Sequence, residues 1–332
     1  MPSTTFDLKP VQPFRLDLTV WALRRRRDNV IDGWDGTTYR RVLVVGATPL
    51  IVTINQVERP DAPRLRVCVD GPAAAPEVSR TLIVVLERLL GLRVDLTAYY
   101  QLVAGDPRLG HLAERYRGVK PPRFPTSFEA LLNAIACQQL TLTMGIRFLN
   151  HLAEAHGPAC PGTDPVIRAL PGPADLAHLD PDVLRGLGFS HQKARALVEV
   201  SREILDGRID LDTLVNLDDV AVAARLRELR GVGRWTAEYV LLRGLGRIHV
   251  FPGDDVGARK NLQRFLGLAS PLDYAGVQRA VAGWYPYAGL VYFHLLLDRL
   301  AALGYLTEQD ELARGAVREC DEGTCRMRSK LS

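Results

Sequence analysis

The sequence predicts an α+β N-terminal domain, an antiparallel sheet with helices, followed by a mostly α-helical region. Three observations carry this: β-branched runs between residues 41 and 70, prolines clustered at 121–125, and apolar residues at helical spacing from there on. At 332 residues the chain is long enough for two or three domains. The expected divisions are residues 1–120, a helical core over 121–305, and a C-terminal tail over 306–332.

The first strand signals are RVLVVG at 41–46, LIVTINQ at 50–56 and RLRVCVD at 64–70. In the last, Leu65, Val67 and Val69 alternate with polar residues, the pattern of a sheet with one wet face. Between 77 and 92, Val78, Leu82, Val85, Leu86 and Leu89 form the stripe of an amphipathic helix. Pro121, Pro122 and Pro125 then interrupt regular structure, because proline lacks the N–H donor and fixes its own dihedral. Phe128, Leu131, Leu132, Ile135, Leu142, Ile146 and Leu149 read as one helix, with Thr126 or Ser127 as its N-cap. A loop with five prolines follows at 158–173, and DPDVLRGLGFSHQKARALVEVSREIL reads as two helices broken at 186–190. Arg24 to Arg27 form the most basic stretch and read as a solvated face ahead of a DNA contact.

Apolar residues make up 47% of the chain and charged residues 24%, and no run of 18 apolar residues occurs, which excludes a membrane helix. The N-terminus lacks the basic-then-apolar plan of a secretory signal, so a cytosolic location is expected, nucleoid-associated in a bacterium. A net charge of +4 suits a nucleic-acid partner only weakly. Cys68, Cys137, Cys160, Cys320 and Cys325 are scattered and read as free thiols, with no structural metal or iron–sulfur cluster demanded.

From 218 to 246 the chain reads as a helix (Val222, Leu226, Leu229), a Gly231-Val232-Gly233 interruption, and a second helix (Trp235, Tyr239, Leu242). Glycines there leave backbone N–H groups at the second helix's start free to meet a phosphate, with Val232 plugged between the helices. A helical corner with no ligand fits the same pattern equally well. Then RIHVFPGDDVGARKNLQRFLGL places Asp254 and Asp255 before a basic helix. A carboxylate at that helix's start stays ionised, and by itself reads as a cap.

Taken together, LRELRGVGRWTAEYVLLRGLG and VFPGDDVGARK resemble the helix-hairpin-helix, glycine-proline-aspartate (HhH-GPD) superfamily of base-excision DNA glycosylases. The resemblance covers about residues 10–305 and is strongest over 128–300, implying a two-lobed helical core with the hairpin at about 219–246. Within the family the chain is similar to the 3-methyladenine DNA glycosylase II branch, in which tryptophan follows the hairpin arginine. Trp235 stands where the bifunctional branch has its Schiff-base lysine, and the four-cysteine signature of many of those relatives is missing.

That resemblance implies a monofunctional glycosylase acting as a monomer on double-stranded DNA that contains alkylated, cationic purines such as 3-methyladenine or 7-methylguanine. Asp255, twenty residues after Trp235, is the implied catalytic carboxylate. Trp235, Tyr239, Tyr287 and Trp284 are the implied base pocket, although aromatics at helical spacing also read as plain core. Gln138 and Gln139 match the family's glutamine and the side chain that fills the gap left by an extruded base. Gly231, Gly233 and Thr236 are phosphate candidates, and Lys193, Arg259 and Lys260 are further DNA candidates that also read as general surface charge. No cofactor is required; a monovalent cation on hairpin carbonyls is the one the family suggests. The competing readings are a damage-binding module without chemistry, a glycosylase/lyase for oxidised bases, and a helical metabolic enzyme with a chance GVG turn.

Overall fold

The computed structural model describes residues 3–71, 76–160 and 165–306; the expected tail, with Cys320 and Cys325, lies outside the described residues. Five antiparallel strands form the N-terminal sheet: β1 (Ser3–Leu8), β2 (Gly33–Trp34), β3 (Thr38–Val45), β4 (Thr48–Gln56) and β5 (Leu65–Asp70), in the order β1-β5-β4-β3-β2. Leu65, Val67 and Val69 are buried, as their alternation predicts. Against that face lies α2 (Pro76–Leu90), whose Leu82, Leu86 and Leu89 are fully buried. In β1 only Phe6 and Leu8 alternate with polar residues, and β2 is two residues long, so neither edge strand was legible in advance.

Between β1 and β2 the chain forms α1 (Leu16–Arg24), closed by Arg25 in the left-handed region at φ 61°. After α2 come α3 (Thr97–Val103) and α4 (Pro107–Arg115), the latter capped by Asp106, which accepts from the Arg108 and Leu109 N–H groups. The helical region then runs α5 (Ser127–Cys137), α6 (Leu142–His156), the short strands β6 (Ala159–Cys160) and β7 (Ile167–Arg168), α7 (Pro173–Leu176), α8 (Pro181–Gly186) and α9 (His191–Leu205). It finishes with α10 (Asp219–Arg227), α11 (Arg234–Arg243), α12 (Val256–Leu266), α13 (Tyr274–Val281) and α14 (Ala288–Ala302).

Thr126 is the N-cap of α5, its hydroxyl accepting from the Glu129 N–H at 3.0 Å. The single helix expected across 128–149 is two. At Gln138 ψ swings to 135°, Gln139 takes φ 53°, and Thr141 caps α6 by accepting from Met144 N. Apolar spacing survives the break because both halves bury the same side, so periodicity alone does not reveal it. By contrast, the break at 186–190 is where the sequence places it, with Ser190 capping α9.

Apolar packing organises the molecule into two main clusters. One joins the sheet and α2 to α5, α6, α9 and the hairpin helices; Val232 sits in it at 7% exposure. The other joins one face of α1 (Leu18, Trp21, Ala22) and residues 96–119 to α12, α13 and α14. Each fully buried leucine contributes about 1.5–3 kcal/mol. The link between clusters is partly polar: Arg243, fully buried at the end of α11, donates to Ala22 O at 2.9 Å and lies over the rings of Phe124, Tyr239 and Phe293.

His294 on α14 is fully buried between Tyr99 and Tyr116, with Nδ1 on Leu290 O at 3.0 Å. Burial pulls its pKa down to about 4. The folded imidazole therefore resists a proton that the unfolded chain takes up near pH 6.5, so stability present above that pH is lost as it falls towards 4. Urea unfolding between pH 7 and pH 4 should show a decline of up to about 1.4 kcal/mol per pH unit from this group, and His294→Leu should flatten it.

Candidate active site

Asp255 is the N-cap of α12: its Oδ1 accepts from the Ala258 N–H at 2.8 Å. Its Oδ2 accepts from the Trp235 indole Nε1 at 3.3 Å. Both oxygens are thus held, one by a helix start and one by a ring on α11, while the group stays half-buried. Asp254 faces the other way and pairs with Arg234 Nε at 2.6 Å on the exposed side. Two residue pairs, each twenty apart in the chain, therefore zip the start of α11 to the start of α12.

The loop between them is fixed from within. Glu238 is 9% exposed; it accepts from Gly253 N–H at 3.0 Å and from the Tyr274 hydroxyl at 2.7 Å. Desolvation raises its pKa, and these two donors work against that. Arg234 stacks over Tyr274, with its guanidinium carbon 3.7 Å from the ring centre. Neither Glu238 nor Tyr274 was singled out from the sequence, since a lone glutamate on a helix gives no sign that it will be buried.

Trp235 is half-buried and its ring centre lies 5.5 Å from that of Tyr239. Tyr239 is 2% exposed, and its hydroxyl accepts from Arg25 Nη1 at 2.9 Å. It backs Trp235 and offers little surface of its own. Trp284 is also core: at 8% exposure it packs edge-on against Phe265 of α12. Tyr287 stays half-buried at the start of α14, its ring 5.5 Å from that of Tyr99.

Arg25 is a further residue whose place sequence reasoning did not find, having read it within Arg24 to Arg27 as a solvated face. Arg24 and Arg25 are 5% and 4% exposed, so the basic run is not a solvated face at these two positions. The left-handed turn at the end of α1 directs Arg25 inward, where Nη2 donates to Asn133 Oδ1 at 2.8 Å beside the bond to Tyr239. Arg24 is consumed by the carbonyls of Arg26, Arg27 and Trp34.

At the hairpin, Gly231 has φ 76° and a Cβ there would meet the Ala196 Cβ at 2.9 Å, so both turn and packing require glycine. Gly233 is different: it precedes α11 with extended backbone, and a Cβ there would meet nothing within 4 Å. Gln138 Nε2 reaches across to Gly231 O at 2.7 Å and to Thr236 Oγ1 at 2.8 Å. Thr236 is 1% exposed, so its hydroxyl serves this junction and is not open to a phosphate. Lys193 is corrected likewise. It is 9% exposed, with Nζ donating to Ala136 O at 3.0 Å and Gln138 O at 2.6 Å, and burial lowers its pKa. Gln139 is exposed, as is Lys260, and Arg259 is half-buried on α12. A separate cleft of about 1040 Å³ between β3 and the segments around residues 125–129, 169–175 and 204–212 includes none of these residues.

A five-stranded sheet, a helix–glycine hairpin–helix unit and an aspartate at the next helix's start define a class. Residues 132–286 match the family described as HhH-GPD superfamily base excision DNA repair protein. Relatives that the chain resembles are named as 3-methyladenine glycosylases. It is 28% identical over 257 residues to DNA-3-methyladenine glycosylase 2 of Escherichia coli, covering 77% of this chain and 84% of that protein. It is 29% identical over 163 residues to DNA-3-methyladenine glycosylase of Bacillus subtilis, covering 49% and 54%, so it spans about half of that relative's length. A 3-methyladenine DNA-glycosylase from Archaeoglobus fulgidus has the same fold, with a TM-score of 0.79 at 22% identity over 90% of this chain and 99% of that one.

The cap and the acid are separable. Asparagine caps helices as well as aspartate, whereas alanine forfeits about 1 kcal/mol. Both Asp255→Asn and Asp255→Ala lose the acceptor for the Trp235 indole, so urea unfolding should show Asp255→Ala less stable than Asp255→Asn by about 1 kcal/mol, the worth of the cap.

Proposed function

We propose that the protein is a monofunctional DNA glycosylase that hydrolyses the N-glycosidic bond of alkylated purines in double-stranded DNA, working as a monomer where chromosomal DNA is found. The observation that carries this reading is the Asp255 carboxylate, pinned by the Ala258 N–H and the Trp235 indole at the end of the hairpin unit. Relatives named as 3-methyladenine glycosylases support it.

A base stacked in a duplex is out of reach, so the nucleotide is extruded and Gln139, exposed on its turn, fills the gap. Trp235 meets the face of the extruded base, with Tyr287 as the candidate second wall. A desolvated cation over an aromatic ring gains roughly 0.5–2 kcal/mol, which favours purines alkylated at N3 or N7. Arg25 and Arg243 lie buried behind Tyr239 and oppose a cation there, so Trp235 is the ring that supplies this preference.

Chemistry then needs little acid. The bond from C1′ to the purine nitrogen breaks with its electron pair going to the base, which a cationic purine accepts to leave neutral. Positive charge gathers on the sugar, where a fixed carboxylate stabilises it. A water adds at C1′ and gives its proton to Asp255 or to solvent. With Trp235 in place of a lysine, no Schiff base forms and the strand is left intact at an abasic site.

Affinity comes from the hairpin. Open space at Gly233, which packing does not explain, leaves room for a phosphate at the start of α11. A monovalent cation on hairpin carbonyls is compatible with this turn, since the Leu229 and Gly231 carbonyls each accept one hydrogen bond and keep a second lone pair. Bound there, it would add positive charge towards a phosphate and take no part in bond cleavage. Arg259 and Lys260 remain candidates for further phosphate contacts.

On duplexes carrying a single 7-methylguanine, Asp255→Asn should lower single-turnover base release by at least about 100-fold while leaving DNA affinity within a few-fold. Undiminished release would end the assignment. Trp235→Phe keeps the ring and removes the bond to Asp255; a hydrogen bond to a charged group is worth about 1.5–3 kcal/mol, so a loss of roughly tenfold or more is expected. Strand breaks should appear only after alkali, and borohydride should trap no covalent adduct.

A further inference from the structure

We propose that Lys193 is a positioning residue for the inserting turn, and not a phosphate contact. The inference rests on the reading of Gln139 as the side chain that enters the duplex. Four observations converge on it. The last carbonyls of a helix lack partners within the helix, and a cation near them is favourable. Lys193, on the first turn of α9, satisfies two acceptors at the end of α5: Ala136 O at 3.0 Å and Gln138 O at 2.6 Å.

Directly after those carbonyls, Gln139 stands at φ 53°, a conformation that costs a non-glycine residue roughly 1–2 kcal/mol. Among the described residues only Arg25 is another non-glycine with positive φ. The turn would relax towards a continuous helix, as the unbroken apolar periodicity of 128–149 invites, unless something held it open. On its other side the Gln138 amide is bound to Gly231 O and Thr236 Oγ1. The inserting turn is thus clamped between the Lys193 ammonium and the hairpin. The site that grips the phosphates and the side chain that replaces the base are held at one fixed separation. Preorganisation of this kind spares the enzyme from ordering the turn at the moment of extrusion.

Phosphate contact and positioning give different signatures. A lysine on a phosphate contributes about 0.9 to the slope of log affinity against log salt concentration. The experiment uses the full chain, an undamaged duplex for the salt slope, and a duplex with 2-aminopurine beside 7-methylguanine. Fluorescence follows unstacking with Asp255→Asn in both proteins so that no chemistry intervenes. Single-turnover release is read in the Asp255 background.

Lys193→Met should leave the salt slope unchanged, slow unstacking at saturating protein by at least about tenfold, and lower base release in step. Lys193→Arg, which restores a cation to the two carbonyls, should recover part of the rate. A slope reduced by about 0.9, or unstacking as fast as in the parent, would overturn the proposal. If Lys193→Met does not fold by circular dichroism, Lys193→Gln, a neutral donor, is read for the same two quantities. A parent protein that binds the duplex but neither unstacks nor releases base would overturn the glycosylase reading and this proposal with it. Unstacking by the parent that is matched by the Lys193 variants overturns this proposal alone.

Discussion

Asp255 occupies one place in the chain and two in the physics. A carboxylate at a helix start accepts a backbone N–H and sits at the positive end of the helix dipole. The Trp235 indole takes its second oxygen, so the group cannot turn. Much of the surrounding structure serves that pairing. Glu238 anchors the loop through Gly253 and Tyr274, Arg234 ties Asp254 outward, and Tyr239 backs the indole. Because Asp254 is occupied on the exposed side, only one of the two adjacent acids is left for the site.

The N-terminal segment is part of this support. Arg25 leaves α1 through a left-handed turn and reaches Tyr239 and Asn133, while Arg243 returns from α11 to the carbonyl of Ala22. Two buried guanidiniums flanked by aromatic rings are costly to desolvate, and they persist because hydrogen bonds and ring faces offset that cost. They also place positive charge behind Tyr239, so in the proposed reading the outer ring, Trp235, is the one that meets the base.

Much of the helical architecture was legible in local sequence. Strands β3, β4 and β5, helix α2, the Thr126 cap and the 186–190 break follow from alternation, helical stripes, proline and capping chemistry. The strands β1 and β2 were not, because short edge strands gain their pairing from neighbours and carry too little pattern of their own. Nor was the break at 138–141, since two helices that bury the same side keep one periodicity. The family motif drew attention to Gln138, Thr236 and Lys193, yet it is the hydrogen-bonded junction among them that gives each its place.

The sequence by itself determined the hairpin glycines, the acid at the start of α12 and the aromatic twenty residues before it, because turns, caps and helical faces are set by residues near in the chain. Only the tertiary structure decided which of these groups stay open. Trp284, Tyr239, Thr236 and Lys193 are buried and bound within the protein, whereas Gln139 stands exposed and Asp255 and Trp235 half-buried. Burial depends on which helix lies opposite, and that is fixed by packing across more than two hundred residues of chain, as the bond from Arg25 to Tyr239 illustrates.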